Sequence, residues 1–302
     1  MGERPVASDV SVVIPTLGRE LLRGCLESIA AGTLWPAEVI VVDQGDSSLV
    51  ASWIDRLARP GLVITHVRSS GTGIAAGTNR GLQRVRTRFV ATTHDDCRVQ
   101  ADWMERLSVR ARKVGDRILT GRVEPRGEGI VLTLVTRREP AVYSAPLIDR
   151  DVLFPPNMAF PIRLLERVGY FDEHPSLRLA GEDNEWAYRA LRVGVAIEYD
   201  PDIVVAHLAW QDPQQRTQLH RRYARGQGCF YGKYLRRADP FILRRALRDL
   251  VRAPWLVLRG AVTWNTDLLA MGLGEVTGLP TGILAGLRNA GNHVPRKGVG
   301  AP

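Results

Sequence analysis

Apolar and polar positions alternate between two periods along the first half of the chain. Val10–Ile14 is a short β-branched run closed by Pro15, and Glu20–Ala31 then sets Leu22, Cys25, Leu26 and Ile29 on one helical stripe. Val39–Val42, Leu62–Val67 and Phe89–Thr93 repeat the strand pattern, with helical patterns over 48–58 and 74–86 between them. Strands that alternate with helices predict an α/β fold, a mostly parallel central sheet flanked by helices. Ligands in such sheets bind at the carboxyl ends of the strands. Asp43, the Gly71–Gly73 turn and Asp95-Asp96 all fall at those ends.

Farther on, 98–114 reads as a helix and Ile118–Val123 as a strand, while 125–149 is irregular with room for a hairpin. Glu182–Val193 is helical, with Trp186, Ala190 and Leu191 on one face. Past Pro213 the pattern becomes basic helices, with breaks expected at Pro240 and Pro254. The expected organisation is a domain over 1–210, with halves meeting near 124–125, and a basic helical extension over 211–302. Trp255–Leu287 is apolar but interrupted by Arg259, Asp267 and Glu275, which fits a helix lying on a membrane interface better than one crossing it. No internal repeat is visible.

Composition narrows the function classes. The chain has 302 residues, 45% hydrophobic and 24% charged, ordinary for a globular protein. Three scattered cysteines argue against a disulfide framework or a zinc ribbon and fit a reducing cytosol, and the start carries no secretory pattern. Of the net charge of +9, the segment 214–259 contributes twelve Lys/Arg against two acids. Such a segment suits an anionic partner, here expected to be a membrane surface contacted through 214–290 rather than a nucleic acid, or else a solvated helical face.

The candidate chemistry is acidic. Asp95-Asp96 at a strand exit either hold a hard cation such as Mg²⁺ or Mn²⁺ or cap a following helix. Glu182-Asp183 at a helix start either favour the macrodipole or present a general base. His207 after an apolar run is a structural residue or a ligand, and Gly71-Thr72-Gly73 is compatible with phosphate binding.

In order, these residues resemble the large inverting glycosyltransferase family 2. The blocks are VSVVIPTLGRE (10–20), EVIVVDQGDSS (38–48), SSGTGIAAGTNRGL (69–82), FVATTHDDCRVQADWMERL (89–107), PPNMAFPIRLLERVGYFDE (155–173) and GEDNEWAYRALRVGVAIEYDPDIVVAH (181–207). The resemblance implies a GT-A fold and transfer of one sugar from a nucleotide-diphosphate sugar, UDP first, dTDP or GDP next, in glycan or cell-envelope assembly. The acceptor would be a glycan, a lipid-linked sugar or a small molecule, and the site cytoplasmic, peripheral at the membrane's inner face. It places Pro15, Thr16, Arg19, Asp43, Gly73, Asn79, Arg80 and Asp95 around the nucleotide sugar. Asp96 and His207 would hold Mn²⁺ or Mg²⁺, with His94 a further ligand candidate. Asp183 would be the base, and Asn157, Met158, Glu182 and Trp186 would lie on the acceptor side.

The chain departs from the family pattern at three points. His94 stands where many relatives carry the first acid of Asp-x-Asp, prolines precede Asn157 where glycine is common, and the stretch between Phe171 and Glu182 is short. The Gln-x-x-Arg-Trp element of processive synthases is not found, which points to one transfer per encounter. A catalytically degenerate, purely binding relative is the alternative that His94 keeps open.

Overall fold

The computed structural model describes residues 4–45, 48–178 and 180–289. Its centre is one sheet ordered β3-β2-β1-β4-β8-β6-β9-β5. The strands are β1 (Val6–Thr16), β2 (Trp35–Asp43), β3 (Ile64–Arg68), β4 (Phe89–Thr92), β5 (Cys97–Val99), β6 (Ile118–Arg126), β7 (Ala141–Tyr143), β8 (Met158–Pro161) and β9 (Ile197–Leu208). From β3 to β4 the strands run parallel. Beyond β4 the pairing is mixed, with β6 and β9 parallel to each other.

Helices α1 (Leu21–Ala30), α2 (Leu49–Leu57), α3 (Ile74–Leu82), α4 (Trp103–Val114), α5 (Leu165–Val168) and α6 (Glu182–Arg192) cover the two faces. Strand periodicity explains how one run serves both. Val12, Ile14, Val39 and Val41 join the core under α1, α2 and α4, whereas Val13, Ile40 and Val42 join the core under α3 and α6. Both faces of β1 and β2 are therefore buried, as their continuous apolar runs require.

Helices α7 (Arg216–Leu235), α8 (Pro240–Val262) and α9 (Thr266–Asn289) form a third cluster with α6, around Tyr188, Phe230, Tyr231, Ile242 and Leu279. Lys233 of α7 ties down this packing by donating to Asp172 (2.6 Å) and to Glu185 (2.8 Å), which also accepts from the Tyr234 hydroxyl (2.8 Å). The α7–α9 interface depends on glycine. A Cβ on Gly278, Gly282 or Gly286 would stand 2.6, 2.0 or 2.3 Å from backbone oxygens of Arg221, Arg225 and Cys229. Spacing of four residues puts these glycines on one face, so two backbones meet without side chains between them. By length and composition Thr266–Arg288 would suffice to cross a membrane, with hydropathy 1.4 over its most apolar stretch.

Three sequence expectations change. Residues 98–99, expected to start a helix, belong instead to strand β5, because Cys97 and Val99 pair with His207 and Val205 of β9 and bury their side chains. No local hairpin forms among the described residues of 125–149: β7 pairs with β9, and Val123 bridges Val135. Pro254 does not break the chain but lies inside α8, whose buried Ala253 and Leu256 keep the helix packed on both sides of it. Pro240 instead opens α8, capped by the Asp239 carboxylate.

Candidate active site

The site gathers where β1, β2 and β4 end. Asp95 is 1% exposed and accepts from the Thr16 hydroxyl (2.7 Å) and from Arg19 Nε (3.2 Å), while Arg19 Nη2 closes a second contact on its other oxygen. A planar guanidinium met by both carboxylate oxygens fixes Asp95 in one orientation. Asp95-Asp96 therefore cap no helix: they link β4 to β5.

The antiparallel β5–β9 register sets Cys97 opposite His207, and this brings His207 Nε2 to 3.4 Å from Asp96 Oδ1. Trp210 Nε1 donates to Asp96 Oδ2 at 3.0 Å, and the Arg19 guanidinium lies 4.6 Å over the Trp210 ring. Burial pushes the Asp96 carboxyl up, but His207 and the Trp210 hydrogen bond outweigh it and hold the group below the usual carboxylate range. Burial lowers the His94 imidazole, keeping it neutral. Its Nε2 is buried with no hydrogen-bond partner among the described residues.

The donor set fits a divalent ion. Donor atoms of Asp96, Cys97 and His207 lie within 4.8 Å of one another. Cys97 is a poor ligand, since burial raises its thiol well above the ordinary range and keeps it protonated. A carboxylate with an imidazole suits Mn²⁺ better than Mg²⁺, which prefers an all-oxygen shell; His94 lies outside this group of donor atoms.

Asp43 ends β2, fully buried, with Oδ1 accepting from the Gly45 amide (2.9 Å). Its Oδ2 accepts from Arg68 (2.6 Å) and meets His66 Nε2 at 3.1 Å, because the β2–β3 register sets Asp43 beside Arg68. Gln44 then donates to the carbonyls of Gly71 (2.7 Å) and Gly73 (3.0 Å), shaping the glycine turn. Gly73 has φ +106° and the stem of Arg178 stands 2.6 Å from where its Cβ would be, so only glycine fits there. Pro15 packs against Gly77 of α3, which holds that helix close to β1.

Asn79 is buried, donating to the Phe171 carbonyl (2.9 Å) and Glu173 (2.7 Å) and accepting from the Phe171 amide (2.9 Å). It holds the 171–173 segment and spends its amide within the protein. Arg80 is exposed.

Three of the acceptor-side candidates are packed into the core. The Asn157 amide accepts from Trp103 Nε1 (2.9 Å) and donates to the carbonyls of Arg122 (2.9 Å) and Ile203 (2.8 Å), cross-linking α4, β6 and β9. Met158 is 0% exposed between β4 and β6. Trp186 is equally sealed, stacked on Phe171 with ring centroids 4.8 Å apart and donating to the Gly169 carbonyl. None of these three side chains is available to an acceptor.

Glu182-Asp183 start α6 behind Gly181, whose φ is +89° and where a Cβ would stand 2.7 Å from the Gly226 backbone, so no side chain fits. Burial, aided by the charge of Asp151, pushes the Asp183 carboxyl up to about 6 against the pull of backbone amides. Burial and the Asp183 charge raise Glu182 well above its ordinary value, and its Oε2 is buried without a partner among the described residues. Of the two acids, Asp183 is the one ionised near neutral pH.

Sequence reasoning did not single out His66, Trp210, Gln227 or Tyr223 as site residues. Asn184 donates to Gln227 at 2.7 Å, and Tyr223 lies one turn earlier on the same face of α7. Burial raises the Tyr223 phenol, and so do the charges of Asp183, Glu182 and Asp96, which places this hydroxyl within electrostatic range of both acidic groups. The glycine at 226, needed for contact with Ala180 and Gly181, was the available sequence signal.

Residues 11–168 match the family model described as glycosyl transferase family 2. No curated protein sequence matches the chain. Among solved structures, the mannosyltransferase PcManGT from Pyrobaculum calidifontis, in complex with GDP-Man and Mn²⁺, superposes with TM-score 0.57 at 20% identity, covering 92% of this chain and 88% of that one. S. aureus TarS superposes with TM-score 0.54 at 15% identity over 88% of this chain, which spans 55% of the TarS chain. TarS 1-349 in complex with UDP-GlcNAc gives 0.52 at 14% identity, covering 89% and 90%. At these identities the likeness is one of fold.

Proposed function

This chain belongs to glycosyltransferase family 2, and from that membership we propose that it moves one sugar from a nucleotide-diphosphate sugar to an acceptor hydroxyl with inversion. UDP is the first choice of nucleotide, with dTDP and GDP next, in keeping with the UDP-GlcNAc and GDP-Man of the superposed structures. The observation that carries the reading is the pair Asp95–Asp96 at the end of β4, one clamped by Arg19 and the other met by His207 and Trp210.

In this reading Asp43 with His66 and Arg68 receives the base, Thr16, Arg19 and Asp95 border the nucleoside, and Gly73 with Arg178 lines the diphosphate. Asp96 and His207 would hold the metal. When bound, Mn²⁺ supplies positive charge for the departing diphosphate. Asp183 takes the proton from the acceptor hydroxyl as it attacks the anomeric carbon, and a carboxyl poised at about 6 is ionised at neutral pH yet basic enough to accept it. Glu182, buried beside Asp183, shapes the site of the base. A single displacement inverts the anomeric centre, and transfer is non-processive. Residues 1–210 form the transferase domain, and the basic extension lends Tyr223 and Gln227 to the cleft while holding the protein peripherally on the cytoplasmic membrane face.

A thermal-shift screen of nucleoside diphosphates and their sugars with Mn²⁺, Mg²⁺ or EDTA tests the donor site. A ligand at about 100 times its Kd adds about 2.7 kcal/mol. A Mn²⁺-dependent shift with one nucleotide is expected, and no shift with any of them would refute the reading.

A further inference from the structure

The outer face of α8 is built unlike the rest of the surface. Leu243, Leu247, Val251, Trp255, Leu258 and Val262 recur every three or four residues and are all exposed, Val251 by 72% and Val262 by 70%. They form a single stripe about 29 Å long at 1.5 Å per residue. One position on, Arg244, Arg248, Arg252 and Arg259 form a parallel row, and the Arg259 guanidinium lies 5.1 Å over the Trp255 ring. Asp249 is the only acid in α8, accepting from Tyr231 (2.6 Å) on one oxygen and from Arg248 (2.7 Å) on the other. Trp264, 91% exposed, follows at the corner into α9.

We propose that α8 is a membrane-docking helix that lies in the plane of an anionic bilayer, stripe down and arginine row at the headgroups. This rests on the peripheral placement proposed above and adds the helix, its orientation and the lipid chemistry. An apolar stripe of this length left in water is unfavourable, and its one polar side-chain atom is the Trp255 indole nitrogen. Arg248 and Arg252 are ion-paired with Asp249 and Glu275, while Arg244 and Arg259 meet no acid among the described residues and complement a lipid surface of negative charge. An amphipathic helix with a basic edge and tryptophans at the rim matches the chemistry of the interfacial zone, where an indole keeps its ring in the apolar layer and its N–H in water. Docking by α8 also leaves α9 free to pack on α7 through its glycines, so that α9 need not cross the bilayer.

The test is vesicle partitioning of the full chain, read by co-sedimentation and by the tryptophan emission shift, with phosphatidylcholine vesicles with and without phosphatidylglycerol. Wild type is expected to bind the anionic vesicles with a blue-shifted emission. The double variant Val251→Glu/Leu258→Glu, altered only at exposed positions, should partition at least tenfold less. Arg244→Gln/Arg259→Gln should lose the preference for the anionic vesicles. Equal partitioning of wild type and the glutamate variant would overturn the proposal. So would a wild-type dimer in solution, seen by light scattering and dissolved by the glutamate variant without any vesicle binding, since the stripe's partner would then be a second copy. A nucleotide thermal shift on the same samples reports on the donor site separately, so failure of docking and failure of the transferase reading are distinct.

Discussion

Trp210 donates its indole N–H to Asp96 at 3.0 Å while its ring carries the Arg19 guanidinium at 4.6 Å, so one residue beyond β9 braces both the carboxylate of the metal site and the clamp on its neighbour Asp95. Trp210→Phe keeps a ring for Arg19 and removes the donor. A hydrogen bond to a charged group contributes about 1.5–3 kcal/mol, so Mn²⁺-dependent nucleotide affinity should fall about tenfold or more. Calorimetry with Mn²⁺ and with EDTA checks this, and an unchanged affinity in Mn²⁺ would detach Trp210 from the site.

Asn157 cross-links three elements of the fold. Its buried amide makes three hydrogen bonds to three different elements. Asn157→Ala should lower unfolding free energy by about 2–4 kcal/mol, read by urea titration. A variant of full stability with weakened acceptor use would return Asn157 to the acceptor side.

The strands and their ends were legible because β-branched runs terminate on Asp43 and on His94-Asp95-Asp96, and the order of the family blocks does the rest. Two kinds of information were not legible. Cys97–Val99 has the apolar spacing of a helix start, and only the partner strand β9, a hundred residues later, makes it extended. Trp210, Tyr223 and Gln227 reach the site from beyond the family blocks, so no local spacing announces them. The fourfold glycine spacing from Gly274 to Gly286 was readable, yet the segment carrying it drew attention by its hydropathy instead.

That spacing makes a packing prediction. In Gly282→Leu the first side-chain carbon alone would stand 2.0 Å from the Arg225 carbonyl oxygen, a backbone atom that cannot swing away. Overpacking of this kind costs about 1–3 kcal/mol or more. Thermal unfolding should fall accordingly, while Leu284→Ala on the exposed side should leave it nearly unchanged.

Asp183 should cost the protein stability at neutral pH. Its folded-state pKa is raised to about 6, so its favourable contribution is complete at low pH and is lost as pH rises through that value. Asp183→Asn removes the buried charge. The variant should be more stable than wild type by about 1–3 kcal/mol above pH ~7, with the gap closing toward pH ~4. Denaturant titrations at both pH values measure it, and a variant less stable at the higher pH would contradict the sign.

The most direct test of the account compares donor turnover by wild type and Asp183→Asn, with donor Kd measured on the same preparations. A positioned base contributes about 10²–10⁴-fold, so the account predicts a loss of at least about 10²-fold in kcat at unchanged donor affinity. Full turnover by Asp183→Asn would contradict it.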